Sequence, residues 1–311
     1  VAALGSILIP AMIARGYHKN FAGAIQSTSG ELGIIIPPSI PMILYGVSTE
    51  TSIGKMFMAG IIPGILIALS LMLAVYVVAK KRGYAKETRK SGHELWQAFT
   101  EAFWALLMPI IILGGIYGGV FTPTESAGVA VVYALFVGAF VYKEIKFQHL
   151  HKILLQSATI TSTIMFIIAS AGLLGWILTR EGIPQMVADF FIGVSDSPVV
   201  FLILVNLFLL IVGMFMETNA SIAILAPLLV PVAVQLGIDP VHFGIIMIVN
   251  LALGMCTPPL GVNLFISCQI ADIRLEQITK GMIPLYIVLL IDLALISFIP
   301  TLSMWIPKFV E

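Results

Sequence analysis

Leu253-Gly254-Met255-Cys256-Thr257-Pro258-Pro259-Leu260-Gly261 interrupts an apolar run that extends from about 241 to 268. A run of that length can cross a bilayer as a helix. The Pro-Pro pair cannot remain in a regular helix, because it removes two backbone N–H donors and clashes with the preceding turn. Unwound backbone is tolerated at membrane depth only where protein or a water-filled cavity covers its polar groups. The stretch therefore predicts two half-helices with an unwound segment between them, and this segment is where we expect the function to lie.

The composition indicates a polytopic membrane protein. Of the 311 residues, 59% are hydrophobic and only 10% are charged, whereas a soluble domain has about 25% charged residues. The formal net charge is zero, so charge indicates no nucleic-acid partner. Cys256 and Cys268 lack metal-type spacing and are expected to be free buried thiols. The chain begins at Val1 inside an apolar segment, and we expect an upstream part to be missing from it.

Apolar segments of membrane-spanning length follow one another along the chain. They are 21–47, 56–79, 93–119, 127–142, 159–178 and 282–304, together with the closely spaced pair 199–216 and 221–236. If the basic loop 80–90 is cytoplasmic, alternate crossing places every Lys and Arg inside except Lys55, Arg180 and Lys308. This holds whether the closely spaced pair forms a re-entrant hairpin or two full spans. Its polar tip, Glu217-Thr218-Asn219, favours the hairpin.

The chain contains an internal repeat. The offset that places Pro10 on Pro231 and Gly16 on Gly237 also aligns, without a gap, three residues around the first Pro-Pro pair with three around the second. These pairs are Gly33 on Gly254, Pro37 on Pro258 and Pro38 on Pro259. An even number of full spans separates the two interrupted segments, so the copies cross the membrane in opposite directions. Inverted repeats with matched broken helices are typical of secondary transporters, whose binding site lies at the breaks. The counterpart of the 217–220 tip would precede Val1.

Each break offers oxygen ligands for a cation. Freed carbonyl groups and half-helix ends can coordinate sodium, and half-helix N-termini can hold an anion. A single Pro-Pro pair could be a packing kink, but two pairs at one offset favour a site. The candidate sodium ligands at the first break, a partial set, are Gly33, Ile36, Pro37 and Ser39. Those of the second site are Thr218, Asn219, Gly254, Cys256 and Thr257.

Three carboxylates lie within or beside apolar segments, where an ionisable group is costly and suggests a function. For Glu217, next to the hairpin tip, we favour a role in the site. Glu31 could equally support the ligands of the site or serve the structure. Asp292 is expected to pair with another helix or a backbone group. For Asn250 and Asn263, which flank the second break, hydrogen bonding between helices is the preferred interpretation.

Several motifs resemble one known family, the large membrane subunit of the TRAP (tripartite ATP-independent periplasmic) transporters. They include Leu32-Gly33-Ile34-Ile35-Ile36-Pro37-Pro38-Ser39-Ile40, Gly213-Met214-Phe215-Met216-Glu217 and Thr257-Pro258-Pro259-Leu260-Gly261. The further matching stretches are 7–10, 15–17, 44–46, 120–127, 227–231 and 237–244. The resemblance extends over nearly the whole chain.

The resemblance implies a sodium-driven importer of an organic acid, such as a C4-dicarboxylate or sialic acid, in the bacterial inner membrane. Its partners would be a small membrane subunit, a periplasmic substrate-binding protein and the lipid bilayer. The implied fold is an all-α polytopic membrane protein with an inverted repeat, re-entrant hairpins and two broken helices, working by an elevator mechanism. The substrate would lie between the hairpin tips. Its candidate contacts are Ser39, Pro38, Glu217, Asn219 and Pro259.

We expect four functional parts and weigh two rival functions. The transport domain would comprise 1–54 and 199–270, with connecting scaffold helices and interfacial arms over 55–198 and a C-terminal scaffold helix over 271–311. The rivals are a multi-pass membrane enzyme that uses Glu217 or Asp292 in acid-base chemistry, and a passive anion channel. Nucleotide-binding and zinc-hydrolase motifs are missing from the sequence, so we expect no enzymatic activity.

Overall fold

The structure is a computed structural model that describes residues 1–84, 91–194 and 197–309. Within these ranges the regular elements are helices, with no strand. In the described part of the chain, seven helices are long and apolar enough to cross a membrane, or eight if a bent pair in the first half counts as one span. The predicted all-α polytopic membrane fold is therefore confirmed. Lys86, Arg89 and Lys90 of the predicted cytoplasmic loop lie outside the described residues.

The helices follow the apolar segments of the sequence. They are α1 Ala2–Ala14, α2 Lys19–Ser29, α3 Leu32–Ile35, α4 Ile40–Thr49, α5 Ile53–Arg82, α6 Gly92–Tyr117, α7 Pro123–Phe136 with a π-helical continuation Val137–Val141, α8 Phe147–Arg180, α9 Ile183–Val194, α10 Pro198–Phe215, α11 Thr218–Gln235, α12 Pro240–Gly254, α13 Val262–Ala271, α14 Leu275–Phe298 and α15 Thr301–Phe309.

Capping residues fix where several helices begin. Ser91 accepts from Glu94 N at 3.2 Å while the Glu94 carboxylate accepts from Ser91 N at 2.8 Å. Thr122 and Glu125 form the same reciprocal pair at the start of α7. Asp239 accepts two backbone N–H groups of the first turn of α12. Such caps satisfy donors that a helix start would otherwise leave unpaired.

The described helices fall into two compact units, one comprising 1–85 with 170–311 and the other 86–169. In the second unit, α6 packs against α7, and Ser126 Oγ donates to the carbonyl oxygen of Ile112 at 3.0 Å. The first unit contains both Pro-Pro pairs and the pair of helices α10 and α11. The functional division of the chain into transport and scaffold parts stays a prediction.

Both predicted breaks are present. In the second half, α12 ends at Gly254 and α13 begins at Val262, so a seven-residue non-helical segment, 255–261, separates them. In the first half, the helical stretch that ends at Ile35 and the helix α4 that begins at Ile40 are bent by 43°. The bonds Pro37–Pro38 and Pro258–Pro259 are both cis. The prolines interrupt both segments as the sequence predicted, because a proline has no backbone N–H group to donate to a helical carbonyl.

Helix packing repeats the internal symmetry of the sequence. At the offset found above, the end of α1 at Ala14 falls on the end of α11 at Gln235, and the start of α2 at Lys19 falls on the start of α12 at Pro240. Helix α1 packs on α2 and also on α13, which belongs to the other repeat. Correspondingly, α11 packs on α12 and on α4. In each half, therefore, one helix packs against the broken helix of the other half.

The repeat extends beyond the second Pro-Pro pair. The same offset places Gly60-Ile61-Ile62-Pro63 of α5 on Gly281-Met282-Ile283-Pro284 of α14. Both glycines allow close helix packing: a Cβ at Gly281 would lie 2.5 Å from the carbonyl oxygen of Asn20, and one at Gly60 would lie 2.8 Å from that of Ile35. Helices α5 and α14 thus pack directly on the first broken helix, in addition to packing on each other.

The centre of the first unit is α12, in which every residue from Val241 to Gly254 is buried. Helix α10 approaches it closely, because a Cβ on Gly213 would lie 3.0 Å from the Cα of Gly254. At the other end of α12, Tyr45 donates its hydroxyl to the carbonyl oxygen of Pro240 at 2.6 Å. The second break therefore extends from the most enclosed helix of the molecule's described part.

Candidate functional site

The second break is an ordered loop. Cys256 N donates to Leu253 O at 3.0 Å and Thr257 N donates to Gly254 O at 2.9 Å, which continues the last turn of α12. Asn263 N reaches back across the prolines to Met255 O at 3.1 Å. Within the described residues, no hydrogen-bond donor reaches the carbonyl oxygen of Cys256. This carbonyl is the predicted sodium ligand that remains available at this break.

The hydroxyl of Thr257 is already engaged. It donates to Leu253 O at 2.8 Å and lies 2.9 Å from the hydroxyl oxygen of Tyr286 on α14. A hydroxyl group has one donor and two acceptor lone pairs, so Thr257 retains an acceptor site for a cation even when the Tyr286 hydroxyl donates to the other. No local sequence pattern points to Tyr286, because its contact with Thr257 depends on how α14 packs against the break.

The first break is closed by a serine. Ser39 Oγ donates to the carbonyl oxygen of Ile34 at 2.5 Å, across the two prolines. Ile36 N donates to Leu32 O at 2.8 Å. The Ser39 side chain is buried, with 3% of its surface exposed. Gly33, Ile36 and Pro38 are exposed, while Pro37 is buried. Of the predicted sodium ligands at the first break, Pro37 and Ser39 are therefore buried, whereas Gly33 and Ile36 lie at the surface.

The tip between α10 and α11 is organised by Glu217. Its carboxylate accepts from Ala220 N at 3.1 Å, which caps α11, and from Asn219 Nδ2 at 2.8 Å. Glu217 itself is exposed, whereas Thr218 is buried. The Glu217 carboxylate therefore serves as a helix cap at the surface, and its role in the site stays a prediction. Asn219 Oδ1 is buried and has no hydrogen-bond partner.

The structure brings the hairpin tip and the second break together. Thr218 Oγ1 donates to the sulfur of Met255 at 3.0 Å, and the close approach of Gly213 to Gly254 lies just before this contact in both segments. In the described part of the chain, no hydrogen bond joins Pro38 or Ser39 to the tip or to Pro259. The assignment of sodium and substrate ligands stays a prediction.

Two polar interactions predicted within the membrane region are confirmed. Asn250 on α12 donates to the backbone carbonyl and the side-chain oxygen of Asn206 on α10, at 2.9 and 2.7 Å. Asp292 on α14 accepts a short hydrogen bond from Ser70 Oγ on α5. Both pairs join helices, as expected for polar groups in an apolar environment. The two cysteines are free and buried, also as expected.

A buried polar cluster connects the two halves. The thiol of Cys256 donates to the carbonyl oxygen of Ser27 on α2 at 3.1 Å, and Asn263 Nδ2 approaches the same sulfur at 3.7 Å. Glu31 is fully buried and interacts electrostatically with the Cys256 thiol and with Tyr286. The sequence predicts either a structural role or a site role for Glu31 and does not single out Ser27, which lies one helical turn before it.

Comparison with known proteins gives a family match over nearly the whole chain. A family description, "Tripartite ATP-independent periplasmic transporter, DctM component", fits residues 1–302. The C4-dicarboxylate TRAP transporter large permease protein DctM of Pseudomonas aeruginosa is 46% identical over 308 residues, which are 99% of this chain and 72% of that protein. The sialic acid TRAP transporter large permease protein SiaM of Vibrio cholerae is 43% identical over 305 residues, 98% of this chain and 71% of SiaM.

A third relative is longer. The isethionate TRAP transporter permease protein DctMQ of Oleidesulfovibrio alaskensis is 43% identical over 310 residues. The match covers 98% of this chain and 48% of that protein. The chain therefore spans about half the length of this relative and less than three quarters of the other two.

Proposed function

The chain belongs to the DctM component family of the tripartite ATP-independent periplasmic transporters, and we propose that it imports an organic acid together with sodium ions across the bacterial inner membrane. Membership of this family identifies the chain as a transporter component, as predicted, and not as a membrane enzyme. Sodium coupling, the substrate and the mechanism are the proposed parts.

The observation that carries the proposal is the pair of matched breaks. Each interrupts an apolar helix with two prolines, and Thr218 of the hairpin tip hydrogen-bonds to Met255 within the second break. The free carbonyl group of Cys256 and the nearby hydroxyl groups are hard, neutral oxygen ligands, which suit a monovalent cation. Within the described residues there is no group of three or more His, Cys, Asp or Glu side chains that could hold a metal ion, so these breaks offer no multidentate carboxylate or thiolate site.

The substrate class follows from what the relatives share. Their names specify a C4-dicarboxylate, sialic acid and isethionate, which are all small organic anions. We place the anion beside the exposed Pro38 and Pro259, with the Asn219 amide as a hydrogen-bond donor and with Ser39 as a second donor once its hydroxyl leaves the Ile34 carbonyl. Glu217 is itself anionic, so its role is to orient the Asn219 amide through the 2.8 Å hydrogen bond. Bound sodium would offset repulsion between Glu217 and the substrate.

The transport cycle is proposed to be an elevator movement with two partners. Sodium and substrate bind when the breaks and the hairpin tip face the periplasm, and the same elements then face the cytoplasm after the transport domain has moved. A periplasmic binding protein delivers the anion, and a small membrane subunit supports the scaffold. The fused permease name of the DctMQ relative agrees with such a subunit. Binding of both ligands at the breaks accounts for coupling without nucleotide hydrolysis.

Uptake by reconstituted protein tests the function. The complete transporter is placed in proteoliposomes with its cognate binding protein and radiolabelled organic acid outside. We expect accumulation above the external concentration when sodium is outside, and none when choline replaces sodium. Equal downhill entry in both salts would instead indicate a passive anion channel, and dependence on ATP would contradict the proposal.

A further inference from the structure

Glu31 is the most unusual polar residue in the first unit. Its side chain is 0% exposed, and neither carboxyl oxygen has a hydrogen-bond partner. It follows α2 and directly precedes α3, the last turn before the first break. A buried ionised carboxylate is strongly unfavourable unless it is paired with a cation and hydrogen-bonded. In the described part of the chain, no hydrogen-bond donor is in place to compensate this group when it is charged.

Among the described residues, no protein cation compensates Glu31 either. The titratable groups that interact with Glu31 are the Cys256 thiol and the Tyr286 hydroxyl, both neutral donors or acceptors. The thiol donates its hydrogen to Ser27 O at 3.1 Å and also lies close enough to interact with the Glu31 carboxylate. Described lysines and arginines provide no hydrogen bond to either oxygen. Glu31 thus differs from Asp292, whose carboxylate accepts from Ser70.

Other polar groups lie around the sulfur of Cys256, which interacts with Glu31. Ser27 presents both its carbonyl oxygen and its hydroxyl to the sulfur of Cys256, at 3.1 and 3.6 Å. Asn263 directs its amide to that sulfur at 3.7 Å, a long contact that a flip of the amide would replace by an oxygen. Ser267 lies one turn further along α13, and its buried Oγ also lacks a partner. Helix α13 packs directly on α2.

We propose that Glu31, with Ser27 and Asn263, binds a sodium ion between the first broken helix and the second break. This inference rests on the proposed sodium-coupled function and adds a site to the two predicted at the breaks. A single carboxylate balances the charge of a monovalent ion, and the remaining ligands are neutral oxygens. Bound sodium would connect α2 to 255–261 and so make occupancy of one break depend on the other.

The site exists once in the molecule, not once in each repeat. The repeat offset places Ala252 opposite Glu31 and Ile248 opposite Ser27. Neither residue can supply a side-chain oxygen. The proposed ion therefore makes the two halves chemically different, although their helices pack with the same symmetry.

Sodium-dependent thermal stability of the purified complete protein tests the site. We expect sodium chloride, compared with choline chloride at equal ionic strength, to raise the melting temperature of the wild type. Glu31→Gln should raise the half-saturating sodium concentration about tenfold, because a charged ligand is lost. In choline chloride the variant should melt no lower than the wild type, since a buried charge has been removed. Asp292→Asn, the matched change of a buried carboxylate outside the cluster, should keep the wild-type sodium response.

The outcomes separate the inference from the proposed function. A full wild-type sodium response in Glu31→Gln would overturn the site and leave sodium coupling intact. An equal loss of stability in both salts would also overturn it, because it would identify Glu31 as a structural residue only. If the wild type itself does not respond to sodium and shows no sodium-dependent uptake, both the site and the proposed function fail. Ser27→Ala, which retains Glu31, should give a smaller shift in the same direction.

Discussion

The hydroxyl of Thr218 at the tip of the second hairpin donates to the sulfur of Met255 at 3.0 Å, inside the second break. This contact joins two segments that the sequence separates by the whole of α11 and α12. It places a hydroxyl oxygen beside backbone that is no longer helical. A movement of the tip relative to the break would therefore change the coordination available to a cation.

Thr218→Ala and Asn219→Ala are expected to weaken sodium coupling. Each removes one neutral oxygen from the proposed second site, so the half-saturating sodium concentration for uptake should rise about fivefold in each, as expected for roughly 1 kcal/mol. Thr163→Ala, which removes an exposed hydroxyl on α8, serves as the control and should behave as the wild type. Unchanged sodium dependence in both tip variants would count against the assignment.

Tyr286→Phe is expected to affect the second break through Thr257. The Tyr286 hydroxyl lies 2.9 Å from Thr257 Oγ1, so its loss frees the Thr257 hydroxyl to rotate. We expect a rise of about two- to fivefold in the half-saturating sodium concentration, with little change in maximal uptake. Tyr76→Phe, on an exposed face of α5, provides the matched control. A lower melting temperature with unaltered sodium dependence would show that Tyr286 acts in packing alone.

Gly213→Ala is expected to destabilise the protein. The added Cβ would lie 3.0 Å from Gly254 Cα and 3.1 Å from Leu251 O, and backbone atoms cannot move aside as a flexible side chain can. Overpacking of this kind costs about 1–3 kcal/mol. The melting temperature should fall relative to that of Gly128→Ala, where a Cβ on α7 meets open space. Equal melting temperatures for the two variants would contradict the close approach of α10 and α12.

The Ser70–Asp292 pair is expected to be coupled. Ser70→Ala leaves the Asp292 carboxyl group without its donor and should cost about 1–3 kcal/mol. Asp292→Leu introduces the residue found at the equivalent position of α5, Leu71. The double variant should be more stable than the sum of the two single changes predicts, which a double-mutant cycle of unfolding free energies measures. Additive effects would mean that the contact contributes nothing to stability.

The breaks and the repeat could be predicted because their signals are local. Proline removes a donor wherever it stands, so Pro37-Pro38 and Pro258-Pro259 mark the interruptions without knowledge of the fold. The continuation of the repeat into Gly60 and Gly281 could also be predicted from the sequence, since it requires only the same offset. The packing of α14 on α2 shows the structural consequence of this continuation.

The buried cluster could not be predicted in the same way. Ser27 and Cys256 are 229 positions apart, and only tertiary packing brings them together. Glu31 was a candidate because a carboxylate in an apolar segment is unusual, but its lack of any partner is a property of the folded chain. Glu217 shows the opposite case, since its capping bond to Ala220 places the carboxylate at the surface. Burial and partners therefore decide which intramembrane acids are candidates for ion binding.

Sodium coupling can be measured as sodium flux driven by substrate. Sodium-free proteoliposomes containing the complete transporter receive trace ²²Na⁺ and the loaded binding protein on the outside. We predict that ²²Na⁺ enters in a fixed ratio to the organic acid, and that both fluxes stop when the binding protein is omitted. Entry of the organic acid without ²²Na⁺ would contradict sodium-coupled transport at the two breaks.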